Sequence, residues 1–423
     1  MPVSLVFCCP SSNMPRLSSP LRFYREAFSG LPRAVWLVAA VSFVHRSGTM
    51  VLPFLTLYLT SQQQLSPRGA GVILSVYGVG AVGGSYLGGW LSDRIGSLPT
   101  QRLSLGLAAA GFVALSLMPT PLSIALVVAL LSVAAESFRP ANAATLAEVS
   151  PAELHVRAFS LRRVGMNLGM AIGPACGGLL VAYSYRLLFF VEAGVCVLTA
   201  GLLWLLFGSA PSPAQRGGQP AETPDPRLSP WRDGVFLVLV GLTMLLATVL
   251  CQLLGTYPLT LSEVYGLPAT SVGLVFTINT LLIVVFQMLV IRAVERFDTL
   301  RVVGLGALLL CGGFGLLPFA PVMPLVAVTV VVWTLGEMLT TPLLEGFVAK
   351  RSPAASRGRY MGMFGTAFSG AFVLAPLGGT WLYEAWGYRT LWFSCAGLGV
   401  VLWLGFVWLS GRVQSQIQKE STQ

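Results

Sequence analysis

Apolar residues in this chain run in stretches of about twenty, separated by short polar punctuation, and the pattern recurs along most of its length. A helix rising ~1.5 Å per residue needs roughly 20 residues to cross ~30 Å of hydrocarbon. The stretches at 34–59, 69–91, 102–119, 121–148, 158–182 and 186–208 therefore predict six spanning helices. Six more are predicted at 233–260, 270–293, 300–318, 321–349, 359–384 and 388–410. The short alternating segments that build a membrane β-barrel do not occur in the sequence.

The second set restates the first. Asp93-Arg94 returns as Glu295-Arg296, and Ser150-Pro151-Ala152 as Ser352-Pro353-Ala354, each 202 residues later. Pro140, Arg157, Gly71 and Pro174 return as Pro342, Arg359, Gly273 and Pro376, while Tyr185-Arg186 returns as Tyr388-Arg389, one residue out of step. A duplicated six-span unit implies two bundles around a central site, the geometry of a secondary transporter. The expected fold is an all-α membrane protein of 12 transmembrane helices in two pseudo-symmetric six-helix bundles. Residues 1–30 are expected to form a disordered cytoplasmic N-terminus, 31–208 the N-terminal bundle, and 209–232 a cytoplasmic linker rich in Pro, Gly and Ser. Residues 233–410 make the C-terminal bundle and 411–423 a cytoplasmic tail.

Composition narrows the class further. Mean hydropathy is +0.77, and 55% of residues are hydrophobic against 10% charged. A soluble chain of 423 residues could not hide that much apolar surface. The net charge of +10 would suit nucleic acid, but its placement argues against such a partner. Most Lys and Arg fall in the termini and in loops on one predicted side; the opposite loops hold only Arg68, Arg186 and Arg389. That bias puts both termini and the central loop in the cytoplasm of a multi-pass protein of the cell (inner) membrane. Residues 1–30 lack the long apolar core of a cleaved signal peptide, and Cys8-Cys9 lies in a poor lipidation context. Single Cys residues scattered through the spans read as packing residues, and with two His there is no metal-ligand cluster.

Three local patterns carry more. Gly89-Trp-Leu-Ser-Asp93-Arg94-Ile-Gly96 follows the second span. Gly169-Met-Ala-Ile-Gly173-Pro174-Ala-Cys-Gly177-Gly178 lies in the fifth. Pro140 and Pro151, with Glu148 between them and Arg157 after, bracket the end of the fourth. The first resembles the Gly-x-x-x-Asp-Arg-x-Gly loop of the major facilitator superfamily. The second is similar to that family's Gly-x-x-x-Gly-Pro-x-x-Gly-Gly motif, associated with drug:proton antiporters of twelve spans. With the duplication, the resemblance covers residues 34–410. It implies that Gly89, Asp93, Arg94 and Gly96 form a gate whose acid lies against the start of span 11 near Arg359, holding the cytoplasmic side closed. An acid at a helix N-terminus is worth ~0.3–1 kcal/mol on its own physics; the bland alternative is a solvated acid–base pair in a loop. Glu295-Arg296 lacks the flanking glycines.

Gly169, Gly173 and Gly177 share one helical face, which lets another helix approach closely, and Pro174 removes a backbone hydrogen bond and favours a kink. These residues, with Gly178 and Pro376 of the second copy, are read as a bendable, leak-tight face between the halves; simple tight packing is the plain alternative.

The sharpest mechanistic sign is ionisable side chains deep in the spans, where a charge costs at least ~2.5–3.5 kcal/mol and therefore normally faces a cavity and pairs. Arg46, beside His45, lies about 18 Å into span 1 at ~1.5 Å per residue. Glu136 in span 4 sits at similar depth, with Arg139 on the same side of its helix, and Glu337 takes the matching place in span 10. The resemblance places spans 1, 4, 7 and 10 around a central cavity. Glu136 and Glu337 are therefore candidate proton carriers, with Arg46 and Arg139 as counter-charges tuning them and His45 as packing residue or relay. The alternative for Glu136 is a static ion pair with Arg46 or Arg139. Glu192 is expected to pair with Arg186 at the outer edge, and Arg162 and Arg163 to reach for the cytoplasmic surface. The family's usual Arg in span 4 would fall near Val128 and is missing, so its standard relay cannot be carried over.

Tyr77, Asn167, Gln252, Tyr257, Asn279, Gln287 and Trp333 are expected to line the cavity. Aromatic, amide and apolar groups suit an amphipathic compound better than a phosphate, which would want clustered cations. The expected activity is proton-coupled export of small amphipathic or drug-like molecules by alternating access, by a monomer in the lipid bilayer. The alternatives are a proton symporter importing a sugar or other metabolite, or a lipid flippase. No nucleophile–base–acid set, cofactor loop or nucleotide loop stands in the sequence, so no enzyme, cofactor or ATP drive is expected.

Overall fold

The computed structural model describes residues 30–151, 154–208, 230–352 and 357–422. The expected N-terminal segment and most of the expected linker lie outside them, so those two readings are untouched by it. Every regular element among the described residues is helical. In chain order these are α1 (Arg33–Ser47), α2 (Val51–Ser61), α3 (Pro67–Ile95), α4 (Ser97–Leu115), α5 (Pro121–Val149), α6 (His155–Tyr183) and α7 (Tyr185–Phe207). There follow α8 (Gly234–Leu250), α9 (Thr256–Leu259), α10 (Ala269–Val294), α11 (Thr299–Gly315), α12 (Met323–Met338), α13 (Thr341–Arg351) and α14 (Arg357–Thr422). Among the described residues, 10 helical stretches are long and apolar enough to cross a membrane. The last of them, Tyr360–Gln416, is 57 residues long and is interrupted at Gly387, whose φ of +82° no side chain adopts comfortably.

The polar punctuation acts as caps and stops. Ser66 accepts a hydrogen bond from the Gly69 N–H, with Pro67 opening α3, and Thr120 and Ser123 form a reciprocal box at the start of α5. Asp233 and Asp298 cap α8 and α11 in the same way. Gly96, the last residue of the first motif, has φ +95° and is the whole connection between α3 and α4. A turn that abrupt needs a residue without Cβ, so this glycine is explained by geometry before any gating role.

Three predicted spans are broken. Span 1 stops at Ser47 and restarts at Val51; span 7 passes through a 3₁₀ turn at Cys251–Leu254 and a wide turn at Thr260–Val264; span 10 breaks between Met338 and Thr341. Polar residues cluster around these breaks because loosened backbone in a membrane needs partners inside the protein.

Contacts between the two sequence halves run chiefly along α3 with α14 and α6 with α10. Several of them bring main chain against main chain. A Cβ on Gly78 would come within 2.9 Å of the Phe372 carbonyl oxygen, one on Gly178 within 2.9 Å of Thr270 Cα, and one on Gly273 within 2.4 Å of the Pro174 carbonyl oxygen. The Ser75 hydroxyl donates to the Val373 carbonyl at 2.8 Å and the Thr277 hydroxyl to that of Ala171 at 2.9 Å. All these contacts lie in the half of the molecule away from the chain ends. Further along the same face of α3, a Cβ on Gly89 would meet nothing within 4 Å, and the same holds for Gly365 and Gly362 on α14. The two helices therefore diverge toward the face that carries the chain ends.

Candidate functional site

The break in span 1 organises the first half's site. It leaves the first N–H groups of α2 without helical partners. Glu192, buried on α7, supplies them: its Oε2 accepts from the Met50 N–H at 3.0 Å and the Val51 N–H at 2.5 Å. The expected pairing of Glu192 with Arg186 is thus replaced by a cap inside the fold, where a carboxylate meets the positive end of α2. Beside it lies a cavity of about 60 Å³ lined by His45, Arg46, Thr49, Tyr77, Glu136 and Glu192, among others. The Tyr77 hydroxyl donates to Glu136 Oε1 at 3.0 Å, and His45 stacks on Phe138 at 4.0 Å between ring centres. Arg46 Nε is buried with no hydrogen-bond partner.

The second half repeats the arrangement with different chemistry. Asn279, on α10 at the place matching Tyr77 in the first copy, donates through Nδ2 to Glu337 Oε2 at 2.8 Å and to the Thr334 hydroxyl at 3.1 Å. Tyr77 and Asn279, read as substrate-lining residues, are thus each hydrogen-bonded to one of the two acids read as proton carriers. Arg139, read as a counter-charge for Glu136, is exposed and makes no described hydrogen bond or ion pair with it. Gln252 is buried and donates to the Ala375 carbonyl at 3.0 Å, filling the space that the missing Cβ of Gly379 leaves open. Trp333 and Trp392 stack on Phe314 in the core of the second half, with Tyr257 edge-on to Phe314 and Trp392, and half-buried Asn167 makes no hydrogen bond among the described residues.

Comparison with known proteins identifies the frame of this site. The sequence model of the Major Facilitator Superfamily matches residues 35–257 and 239–422. The chain belongs to that superfamily. It is 26% identical to multidrug resistance protein MdtH of Aeromonas salmonicida (strain A449), over 74% of this chain and 78% of that one. It is 23% identical to a Na(+), Li(+), K(+)/H(+) antiporter of Planococcus maritimus, over 86% and 93%. Among solved structures, a POT family transporter in complex with 5-aminolevulinic acid superposes with a TM-score of 0.78 at 17% identity, covering 91% of this chain and 98% of that chain. This is a multi-pass membrane transporter of the major facilitator fold, in a family whose members carry small molecules.

Within the superfamily frame, the motif residues divide. The Gly89–Gly96 motif, expected as a loop, forms the last turns of α3 up to Ile95; Arg94 is exposed there and lies over the Trp90 ring at 4.2 Å, whereas the side chains of Asp93 and Arg359 lie outside the described residues, leaving the expected gate contact undescribed. The glycine face of α6 serves a different neighbour from the one expected. Added Cβ atoms on Gly169, Gly173 and Gly177 would meet the Phe43 carbonyl oxygen at 2.8 Å, the Ser47 carbonyl oxygen at 2.9 Å and the Phe54 ring at 2.9 Å. All three belong to span 1, within the same half. Gly178, one residue and about 100° further round the helix, is the glycine of this motif that faces the other half. Pro174 lies inside α6, and Pro376 inside the part of α14 that precedes its interruption at Gly387.

Sequence reasoning missed two polar assemblies. From span 1 to the end of span 4 runs a chain of bonds: Ser42 to Asn142 Oδ1 at 3.0 Å, Asn142 to Gln101 at 3.1 Å, Gln101 to Thr145 at 2.7 Å, Thr145 to Ser97 at 2.8 Å, and Ser97 to Glu148 at 2.8 Å. Arg162 turns inward to it, donating to Asn142 Oδ1 at 3.3 Å, instead of reaching for the surface as expected, whereas Arg163 is exposed and bridges the halves to Glu345 at 3.0 Å. In the second half, Arg351 grips Asp233 with two nitrogens at 2.8 and 2.7 Å, tying the end of span 10 to the start of span 7. Burial alone would raise the Asp233 carboxyl, but the bonds from Arg351 and the Phe236 N–H, with the guanidinium charge, outweigh it and hold the group below its usual range.

Proposed function

We propose that this transporter couples efflux of small amphipathic molecules to proton entry by alternating access. The observation that carries the reading is the matched pair of membrane-embedded acids, Glu136 and Glu337, each hydrogen-bonded to a side chain of the neighbouring inter-half helix, Tyr77 or Asn279. Because α3 and α10 also form the contact between halves, a change in the protonation of either acid acts on a helix that must move when the cavity changes sides. The resemblance of most of the chain to a multidrug resistance protein and to a cation/proton antiporter supports export and proton use.

In this reading the chain crosses the inner membrane twelve times, as six-helix units over 31–208 and 233–410. The ten apolar stretches yield that number when Gly387 divides the last and Ser97–Leu115 is added as the third crossing. Both termini, the 209–232 linker and the 411–423 tail face the cytoplasm, the protein works as a monomer, and the conformation described is open to the cytoplasm. Arg163–Glu345 is then a cytoplasmic-side tether between halves, acting beside whatever contact Asp93 makes near Arg359. Glu337, supported by Asn279, is the principal carrier, and Arg46 balances the charge of Glu136.

The test is reconstitution in proteoliposomes with a trapped pH dye, an imposed pH gradient and a panel of lipophilic cations, sugars and short peptides. Substrate moving against the proton flow supports the reading. Substrate moving with it selects symport, and transport indifferent to the gradient overturns proton coupling.

A further inference from the structure

One buried acid plays no part in the proposal above. Glu192 lies in the same cavity as Glu136, yet its described bonds are to backbone N–H groups at the break of span 1. About 60 Å³ is room enough for ordered water. The walls are polar at the right places: Arg46 and His45 from α1, Tyr77 from α3, Glu136 from α5, and Glu192 with Cys196 from α7, while α4 contributes no charged group. Arg46 Nε has no protein acceptor there.

Charge balance is informative. With both carboxylates ionised and Arg46 charged, the cavity holds a net negative charge; with one proton added it is neutral. An uncompensated charge in a dry bundle is costly, and a neutral set is not. We infer that this cavity is a proton-binding site of the first half, in which Glu136 and Glu192 share one proton through intervening water. The transfer is a simple exchange: the O–H bond of the Glu136 carboxylic acid breaks, a water relays the proton, and an O–H bond forms on Glu192, leaving Glu136 as carboxylate. Glu192 then loses its charge at the N-terminus of α2, and the cap on Met50 and Val51 weakens. Proton arrival is thereby transmitted to the break of span 1, next to Arg46.

This inference rests on the proton-coupled reading for its purpose, but its test does not require transport. Infrared difference spectra of the reconstituted full chain report protonated carboxyl groups directly. One acid's worth of that band is expected to disappear in Glu192→Gln, the same band in Glu136→Gln, and no more in the double variant. A full band in Glu192→Gln, or two independent losses, overturns the shared site. Cys196 gives a second readout that needs no change at either acid. With the other cysteines replaced, its alkylation by N-ethylmaleimide is expected to quicken about tenfold from alkaline to acidic pH, after correction for thiolate content, as the cap loosens. A rate indifferent to pH, or a quickening that survives Glu192→Gln, overturns the inference. If transport proves indifferent to protons while band and Cys196 response stand, the proposed function fails and the site remains; if transport is proton-driven and Glu192→Gln changes neither, the site alone fails.

Discussion

The two halves place an acid and its donor in matching positions but surround them differently. In the first half, Glu136 shares its cavity with a guanidinium, an imidazole and a second acid. In the second, Glu337 has Asn279, and Thr248 stands where the repeat would put a counterpart of Arg46. The core beside it is an aromatic cluster of Tyr257, Phe314, Trp333 and Trp392. Duplication thus kept an acid and its donor at matching depths, while charged neighbours were concentrated in one copy. The teaching is that a lone acid with neutral partners must change its charge outright, whereas a clustered one can pass its proton to a neighbour.

Substitutions can break or sharpen this contrast. The largest effect is expected from Glu337→Gln, which should bring proton-driven transport down to its gradient-free level while sparing energy-independent exchange, measured in proteoliposomes. Glu136→Gln should cause a partial loss, because Glu337, the principal carrier, remains; equal losses would erase the distinction between halves. Next comes the packing that the halves share. Gly273→Val must displace the Pro174 backbone, at a cost of about 1–3 kcal/mol, and so should shift the population toward the form open on the other face by about 5- to 150-fold. Labelling of single cysteines placed on either face measures that shift.

A smaller effect is expected at the second half's own tie. Asp233→Asn keeps a capping side chain but strands Arg351, and should lower stability by about 1.5–3 kcal/mol at neutral pH. Because the native carboxyl lies below its ordinary value, its contribution is complete above the unfolded value of ~3.9 and is lost as pH falls through the native one. The gap between wild type and variant in thermal inactivation should therefore be constant near neutrality and close in acid. The smallest effect belongs to Arg163→Gln: the pair with Glu345 is 46% and 41% exposed, so ~0.2–1 kcal/mol is expected, with a mild change in the cytoplasmic labelling pattern.

Much of the fold was legible because a membrane imposes length and period. The predicted spans at 121–148 and 186–208 coincide with α5 and α7 to within one residue at either end. The breaks were harder to read, although the polar run His45–Thr49 marks the first, and Pro53, Pro258 and Pro342 each follow a break closely and could have signalled it. At the site, the depth of Glu136 and Glu337 could be counted off the sequence, but their partners could not. Tyr77 and Asn279 are reached only across helices. Glu192 went astray for a related reason: Arg186 was its neighbour in sequence, whereas its real partners are backbone groups of another span, which no residue letter records. The glycine motif was read correctly as a close-packing face and assigned to the wrong neighbour, because spacing names a face without naming what lies opposite.

The seal between α3 and α14 and between α6 and α10 has a consequence for leakage. Where Gly78, Gly178 and Gly273 let peptide groups touch peptide groups, there is no bulky rotamer to swing aside and admit a stray ion. Such a closure has no half-ajar setting reached by local fluctuation. It yields only when whole helices part together, so each opening is a discrete, all-or-none event.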